Sequence, residues 1–354
     1  MQNEFDEIRP YGAGEVKQAV ESLLADRQFS RLLKGFVPWL PNWMRNGLVR
    51  LAFVGVNTPL QFQLRFIKPI IRRLLRKCSN GYTFAYSGIA PGPERYTFIS
   101  NHRDIVLDSA ILDLMLHEHH FPTTCEIAIG DNLLIYPWIK TLVKLNKAFT
   151  VKRGLSPREL LESSQRMSRY MHYAIQEKHE NIWIAQREGR AKDSDDRTQE
   201  SVLKMLNMGG PTPGKTTAEI IENLRNMNIV PLAISYEYDP CDYLKAKEFQ
   251  CKRDIPGWKK AKQDDLDNMK TGIWGKKGHV HYQASACIND WLDTLDPTAI
   301  DKADIYRLVA EHIDHEIHAN YKIYDVNRDA LAGKENEYVE SRVRMVDVEQ
   351  PDVP

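Results

Sequence analysis

A histidine flanked by two carboxylates is the strongest indication of chemistry in this sequence. The run from Asn101 to Asp108 contains His102, Asp104 and Asp108. Imidazole is the side chain whose ordinary pKa lies nearest neutrality, and a carboxylate beside it can hold one tautomer. The pattern predicts that His102 is a general base, which removes a proton from a bound hydroxyl. The alternative is that an aspartate caps a helix here and that His102 lies on the surface.

The flanking residues predict where this run lies in the fold. Residues 96–100 are aromatic and β-branched, as strands are, whereas residues 109–116 have apolar side chains at helical spacing. His102 is therefore expected at the corner between a strand and a helix, where it can face a cleft.

Strand-like and helix-like segments alternate from residue 83 onward, as they do in α/β domains. Strands are predicted at 83–87, 96–100, 126–129, 148–152, 181–185, 230–236 and 279–285, and the clearest helices at 109–117, 157–179, 216–226 and 301–321. The predicted fold is α/β, with a central, mainly parallel or mixed sheet flanked by helices and preceded by an N-terminal amphipathic helical region.

The charges are segregated along the chain, although the formal net charge is zero. Residues 27–93 contain eleven basic side chains and no acidic one, and they are also rich in tryptophan, phenylalanine and proline. This composition predicts a peripheral attachment to an anionic membrane surface, because no apolar run approaches the 18 or so residues that a span needs. The side chains assigned to membrane binding are Trp39, Trp43, Arg65, Lys68, Arg72, Arg73, Arg76 and Lys77.

The basic segment has two other interpretations. Its helices can simply cover the main domain with their basic faces in water, or the basic patch can attract the phosphates of a nucleic acid. No recognised nucleic-acid-binding motif accompanies the patch, so no nucleic-acid partner is expected.

Composition and charge predict three regions. Residues 1–80 form the helical, basic docking region, residues 81–325 the α/β domain with a charged insertion at about 245–277, and residues 326–354 a loosely ordered acidic tail. Five scattered cysteines indicate free thiols, and no secretory signal is visible, so we expect a cytoplasmic protein bound peripherally to the inner face of the cell membrane.

Four polar clusters at the ends of predicted strands resemble the glycerolipid acyltransferase superfamily, which includes 1-acylglycerol-3-phosphate and glycerol-3-phosphate acyltransferases. The first cluster is Asn101-His102 with its aspartate, and the second is the strand that ends at Arg153. The third is Gln186-Arg187-Glu188-Gly189-Arg190, and the fourth is the strand of residues 229–236 around Pro231. The four clusters occur in the order of the family.

The sequence departs from the family pattern at two points. The family has four residues between the histidine and the aspartate, whereas five separate His102 from Asp108. One extra residue rotates a helical side chain by about 100°, so Asp104 is a rival to Asp108, which is preferred because an apolar helix follows it. Arg190 also follows Gly189 directly where the family inserts one residue, so either Arg190, which is favoured, or Lys192 holds the phosphate.

The resemblance implies an O-acyltransferase of phospholipid biosynthesis or remodelling. His102 would activate a hydroxyl of a phosphate-bearing glycerol or lysolipid, which attacks the thioester of acyl-coenzyme A or acyl carrier protein. No cofactor and no metal are expected beyond this acyl co-substrate. The implied substrate-binding residues are Arg103, Arg153, Arg187, Glu188, Gly189, Arg190 and Pro231, with Glu188 binding either the acceptor hydroxyl or an arginine. The alternative is a non-catalytic membrane- or lipid-binding protein that retains the fold.

Overall fold

The computed structural model describes residues 2–36, 41–192, 195–334, 337–338 and 340–342. Within them the seven predicted strands are confirmed, each with bounds within two residues of the prediction. The strands are β1 Gly81–Tyr86, β2 Thr97–Ser100, β3 Cys125–Gly130, β4 Ala148–Val151, β5 Asn181–Ala185, β6 Ile229–Tyr236 and β7 His279–Ala284.

The helices of the described residues precede, connect and follow these strands, and they include all four that the sequence predicts. They are α1 Gln2–Phe5, α2 Val16–Ala25, α3 Arg27–Phe36, α4 Asn42–Ala52, α5 Pro59–Phe62, α6 Lys68–Cys78, α7 Leu107–Glu118, α8 Pro137–Leu145, α9 Pro157–Gln176, α10 Glu200–Asn207, α11 Thr217–Arg225, α12 Asp242–Asp254, α13 Lys262–Trp274, α14 Asn289–Leu292, α15 Ile305–Ala319 and α16 Asp325–Leu331. A π-helical turn, Gln63–Ile67, joins α5 to α6.

The strands form one sheet in the order β1-β7-β6-β2-β5-β3-β4. All neighbours are parallel except β6 and β7, which are antiparallel. The strands in the middle of the sheet are apolar on both faces, and β6 is buried along its whole length, as expected where helices cover both sides. The predicted α/β fold with a mainly parallel or mixed sheet is therefore confirmed.

Two hydrophobic cores lie on opposite faces of the sheet. One core packs α6 and α7 against the sheet, with Leu75, Ile111 and Phe98 among its buried residues. The other packs α9, α10, α11 and α15 against the opposite face, around residues such as Tyr170 and Ile313. The molecule is thus a layered helix–sheet–helix structure, and α7, which follows the histidine, lies in the first layer.

The N-terminal region is helical, but it is not separate from the α/β domain. Phe5 and Ile8 are buried in the second core, and the carbonyl of Ile8 accepts a hydrogen bond of 3.0 Å from the amide of Thr150 in β4. Helix α6 buries Ile71, Leu74 and Leu75 in the first core because its apolar positions recur at helical spacing. The N-terminal residues also form a third hydrophobic core, in which Val16, Leu23 and Phe62 pack with Leu145 of α8.

The charged segment that was expected to be an insertion forms α12 and α13, and α13 packs against α6. The segment predicted as a loosely ordered tail begins with α16, and its side chains Tyr338 and Arg342 contact Tyr238 and Asp242 beside α12. Its composition suggested disorder, but aromatic and ionic contacts with a distant part of the chain order these residues.

Candidate active site

The polar clusters lie where parallel strands end. His102 follows β2, Arg153 follows β4, and the segment from Arg187 to Arg190 follows β5. The carboxyl ends of parallel strands lie at the same edge of a sheet, and ligands of open α/β sheets bind there. The fold therefore brings the first three clusters to one edge.

The imidazole of His102 pairs with the carboxylate of Asp108. The distance from Nδ1 to Oδ2 is 2.8 Å, and Asp108 is fully buried. The same oxygen accepts hydrogen bonds from the amides of Arg103 at 2.6 Å and Asp104 at 3.0 Å. The hydroxyl of Tyr236 donates to the other oxygen at 3.1 Å. Four donors thus hold this carboxylate in place.

The opposite ring nitrogen of His102 is available for chemistry. Within the described residues, Nε2 makes no hydrogen bond, and 15% of the side chain is exposed. The ring contacts Trp183 edge-on with centroids 5.5 Å apart, and the backbone amide of His102 donates to Asp196 at 3.4 Å. A carboxylate on Nδ1 favours the tautomer with the proton there, so the lone pair of Nε2 can take a proton.

Asp104, the rival carboxylate, has a different position. Its Oδ1 accepts hydrogen bonds of 2.8 Å from the amides of Val106 and Leu107, so it caps the turn that precedes α7. Burial and the nearby charge of Asp108 raise the pKa of Asp104. Of the two aspartates, Asp108 is the one in hydrogen-bond contact with the imidazole.

The additional residue between His102 and Asp108 is taken up before the helix begins. Ile105 and Val106 form a turn, and α7 begins at Leu107, so that Asp108 lies in its first turn. A carboxylate in that position also meets the partial positive charge of the helix N-terminus. The rotation of about 100° expected for a regular helix does not arise, because the spacer is not helical.

Two tyrosines that sequence reasoning missed complete the surroundings of Asp108. Tyr236 binds its carboxylate, and the hydroxyl of Tyr282 in β7 donates to its backbone carbonyl at 3.0 Å. Burial raises the pKa of both phenols, so both remain donors at neutral pH. The period-two alternation of β6 was the available signal, because Leu232, Ile234 and Tyr236 all face the core that contains α7.

The second and third clusters, which follow β4 and β5, are joined by an ion pair. Arg153 forms an ion pair with Glu188, and the two side chains are 35% and 70% exposed. Glu188 therefore contacts an arginine, which is one of its two predicted roles. The Nε atom of Arg187 is buried and has no hydrogen-bond partner within the described residues. Arg103 lies with its guanidinium 5.5 Å from the centre of the Tyr321 ring.

Arg190, the favoured phosphate ligand, is only 7% exposed and binds protein groups. Its Nη2 donates to Oδ1 of Asn268 at 2.8 Å and its Nη1 to the carbonyl of Arg103 at 3.4 Å. Lys192, the alternative ligand, donates to the carbonyl of Arg190 at 3.2 Å and pairs with Glu248. The contacts with Asn268 and Glu248 were not predictable from the sequence, because both residues belong to the charged segment that was expected to be an insertion.

The two remaining predicted residues differ in position. Gly189 has a φ of +70°, and a Cβ there would meet no atom within 4 Å, so its backbone is open to an approaching ligand. Pro231 is buried inside β6 and is paired with Ile99 of β2. It therefore lies in the interior of the strand and not at the edge of the sheet where His102 lies.

The predicted membrane-binding residues fall into two groups. Trp43 is 74% exposed, and Arg73, Arg76 and Lys77 are exposed on α6. The other three cations have protein partners: Arg65 with the carbonyl of Val54, Lys68 with His117, and Arg72 with Glu118. Arg76 also donates to the carbonyl of Arg72 at 3.4 Å. Trp39 lies outside the described residues. Among the helices of the described chain, none combines the length and the apolar character needed to cross a bilayer.

The comparisons with known proteins agree with the class that the site suggests. Residues 86–235 match the family model described as Acyltransferase, a range that begins at the end of β1 and ends in β6. This segment of the chain is therefore similar to the acyltransferase family, in agreement with the resemblance to glycerolipid acyltransferases.

One solved structure with a similar fold is the 1-acyl-sn-glycerophosphate (LPA) acyltransferase PlsC from Thermotoga maritima. It is 11% identical in sequence, the similarity covers 73% of this chain and 78% of that chain, and the TM-score is 0.41. No protein of curated function matches the sequence.

Proposed function

We propose that this acyltransferase moves a fatty acyl group from acyl-coenzyme A or acyl carrier protein to a hydroxyl of a phosphate-bearing glycerol or lysolipid. The observation that carries the proposal is the pair formed by His102 and the buried Asp108, with a distance of 2.8 Å between Nδ1 and Oδ2. Such a reaction would serve phospholipid biosynthesis or remodelling.

The reaction needs one proton acceptor that later returns the proton. Nε2 of His102 takes the proton of the acceptor hydroxyl while its oxygen attacks the thioester carbonyl carbon. When the carbon–sulfur bond of the tetrahedral intermediate breaks, the imidazolium returns the proton to the leaving thiolate. The carboxylate of Asp108, in contact with Nδ1, stabilises the imidazolium between the two transfers, and neither cofactor nor metal is required.

The charge of the third cluster supports an acceptor that carries phosphate. Arg187 has a buried N–H donor without a partner in the described part of the chain, and Arg153 pairs with Glu188, the residue that follows Arg187. Guanidinium groups bind phosphate oxygens through paired, charge-assisted hydrogen bonds. An acceptor phosphate can compete with Glu188 for Arg153, because that ion pair is partly exposed.

The direct test measures thiol release by the purified protein. The donors are acyl-coenzyme A and acyl carrier protein of several chain lengths, and the acceptors are glycerol 3-phosphate, lysophosphatidate and other lysolipids. Activity that disappears in His102→Ala but persists in His315→Ala, an exposed histidine of α15, supports the proposal. Absence of turnover with every pair would favour the alternative, a lipid-binding protein that retains the fold. The shifted aspartate that motivated this alternative is in contact with the histidine.

We also propose that α4 and α6 dock the protein on an anionic membrane surface. Most of the apolar face of α6 is buried in the core, so this helix offers mainly cations to a membrane, together with the half-exposed Ile70. Helix α4 and the turn after it expose Trp43, Leu51 and Val54 at 74%, 68% and 65%. Apolar insertion is therefore assigned to α4 and electrostatic attraction to α6, each basic side chain contributing about 1 kcal/mol.

A further inference from the structure

The buried contact between α13 and Arg190 has no role in the reaction described above. Helix α13 lies outside residues 86–235, which match the acyltransferase family, yet its Asn268 reaches the third cluster of the site. Both Asn268 and Arg190 are 7% exposed. A buried guanidinium that binds protein groups through both Nη atoms is poorly placed to bind a substrate anion.

The contacts of Arg190 lead from α13 to the catalytic pair. Its Nη2 binds Asn268 at 2.8 Å, and its Nη1 binds the carbonyl of Arg103 at 3.4 Å. This carbonyl belongs to the peptide group that also contains the amide of Asp104. That amide donates to Oδ2 of Asp108 at 3.0 Å, the same oxygen that accepts from His102.

A cation on the carbonyl of a peptide group polarises the group and strengthens its N–H as a donor. Arg190 also restrains the peptide plane, so the N–H keeps its direction toward Asp108. The carboxylate that holds the tautomer of His102 is thus held in turn by Arg190 and Asn268. Partners of this kind, one step removed from the reacting group, determine its orientation.

A second contact ties the same loop to α12. Lys192 donates to the carbonyl of Arg190 at 3.2 Å and pairs with Glu248 of α12 at 3.3 Å. Both helices of the charged segment therefore fasten residues 190–192, and the segment acts as a support for the loop after β5.

We propose that Arg190 and Asn268 are positioning residues, which hold the loop at 102–104 and thereby orient Asp108 and His102, and that Arg190 is not a phosphate ligand. The consequence for substrate binding is that the phosphate of the acceptor is left to Arg187 and Arg153. This inference rests on the proposed function for its kinetic readout, but its structural readout does not require activity.

The structural readout is the tautomer of His102, followed by nitrogen NMR at alkaline pH in the full-length protein without substrate. Wild type is expected to hold the proton on Nδ1. In Asn268→Ala the Nε2–H tautomer should gain population, because Asp108 is held less firmly, whereas Lys270→Ala, on the exposed face of α13, should match wild type. Asn268→Asp keeps a side-chain oxygen that can accept from Arg190 and should therefore show the wild-type tautomer.

The kinetic readout separates positioning from phosphate binding. Asn268→Ala should lower kcat about tenfold and leave the KM for the acceptor within about twofold, since it removes one hydrogen bond to a charged group. Arg190→Lys keeps a cation but cannot bridge both partners, so it should also lower kcat with little change in KM.

Two results would overturn the proposal. One is an unchanged His102 tautomer in both Asn268→Ala and Arg190→Lys. The other is a rise in KM for phosphate-bearing acceptors with unchanged kcat in Arg190→Lys, which would make Arg190 a phosphate ligand. If wild type turns over no acceptor, the proposed function fails, and the tautomer measurement still decides on positioning. If Asn268→Ala does not fold, Arg190→Lys supplies the perturbed contact, and an unchanged tautomer in that variant overturns the proposal.

Discussion

Replacing Asp108 by asparagine tests the catalytic pair most directly. The asparagine side-chain oxygen can still accept from the amides of Arg103 and Asp104, and its amino group can turn to the hydroxyl of Tyr236, which can accept. The substitution therefore removes the charge and largely keeps the shape. We expect the free energy of unfolding to change by no more than about 1–2 kcal/mol.

The loss of activity follows from the charge that meets the imidazolium. Nδ1 and Oδ2 are 2.8 Å apart, which places the two charge centres at a separation of about 4 Å, where unit charges interact by about 4 kcal/mol at an effective dielectric constant of about 20. The imidazolium forms only during the reaction, so this energy is lost from the transition state. It corresponds to a decrease in kcat/KM of about a thousandfold.

The assay is thiol release from the acyl donor with the best acceptor, and thermal melting checks that the variant is folded. Asp104→Asn is the matched control, because asparagine also caps the turn at Val106 and Leu107 and this side chain does not contact the imidazole. Its expected loss is less than about tenfold. A folded Asp108→Asn variant that keeps more than about a tenth of the wild-type kcat/KM would refute the reasoning. A loss of kcat/KM greater than about tenfold in Asp104→Asn would refute it as well.

Three further predictions concern packing, pH and the membrane. A Cβ at Gly272 would lie 2.1 Å from Oδ2 of the buried Asp104, so Gly272→Ala should lower the free energy of unfolding in urea by about 1–3 kcal/mol, and an unchanged midpoint would contradict the close packing of α13. Burial raises the pKa of Asp113 from its ordinary value of 3.8 to about 7. Between pH 3.8 and about 7, the Asp113 carboxyl group is therefore protonated in the native chain and ionised in the unfolded chain. The stability that this protonation contributes is complete below pH 3.8 and is lost as the pH rises through about 7. The loss amounts to about 4 kcal/mol at most, so Asp113→Asn should flatten the pH dependence of urea unfolding in this window, and a slope equal to that of wild type would argue against the assignment. Binding to anionic liposomes should weaken with added salt and fall at least tenfold, or about 1.4 kcal/mol, in the double variant Trp43→Ser and Leu51→Ser; binding indifferent to both changes would exclude docking by α4 and α6.

The strands were predictable because their signal is local. β-Branched and aromatic residues at period two mark a strand wherever it lies in the sheet, and the seven predicted strands all occur among the described residues. The same local signal placed His102 after β2 and a helix after it. The order of strands and the partners of each side chain carry no such signal, since they depend on segments far apart in the chain.

The charged segment shows where local signals mislead. Its composition is that of a solvated insertion, but Asn268 is buried because Arg190, 78 positions earlier, requires an acceptor. The charge pattern of a segment does not determine whether a residue is exposed to water, because exposure also depends on the residues that pack against it in the fold. By its sequence the apolar face of α6 can meet either a membrane or the main domain, and its burial in the core with α7 became evident only in the folded molecule.

The sequence by itself determined the chemical groups of the site and their order along the chain, because residue types and local periodicity place each group at the end of a strand. The tertiary structure decided which of these groups meet. A turn at Ile105 and Val106, too irregular to be inferred from spacing, brings Asp108 and not Asp104 to His102. Arg190 donates a hydrogen bond to Asn268 of α13, whereas the Nε of Arg187 has no partner among the described residues. The physical reason is that hydrogen bonds and ion pairs act over about 3 Å, and such distances between remote residues exist only after the sheet and its two layers of helices have assembled.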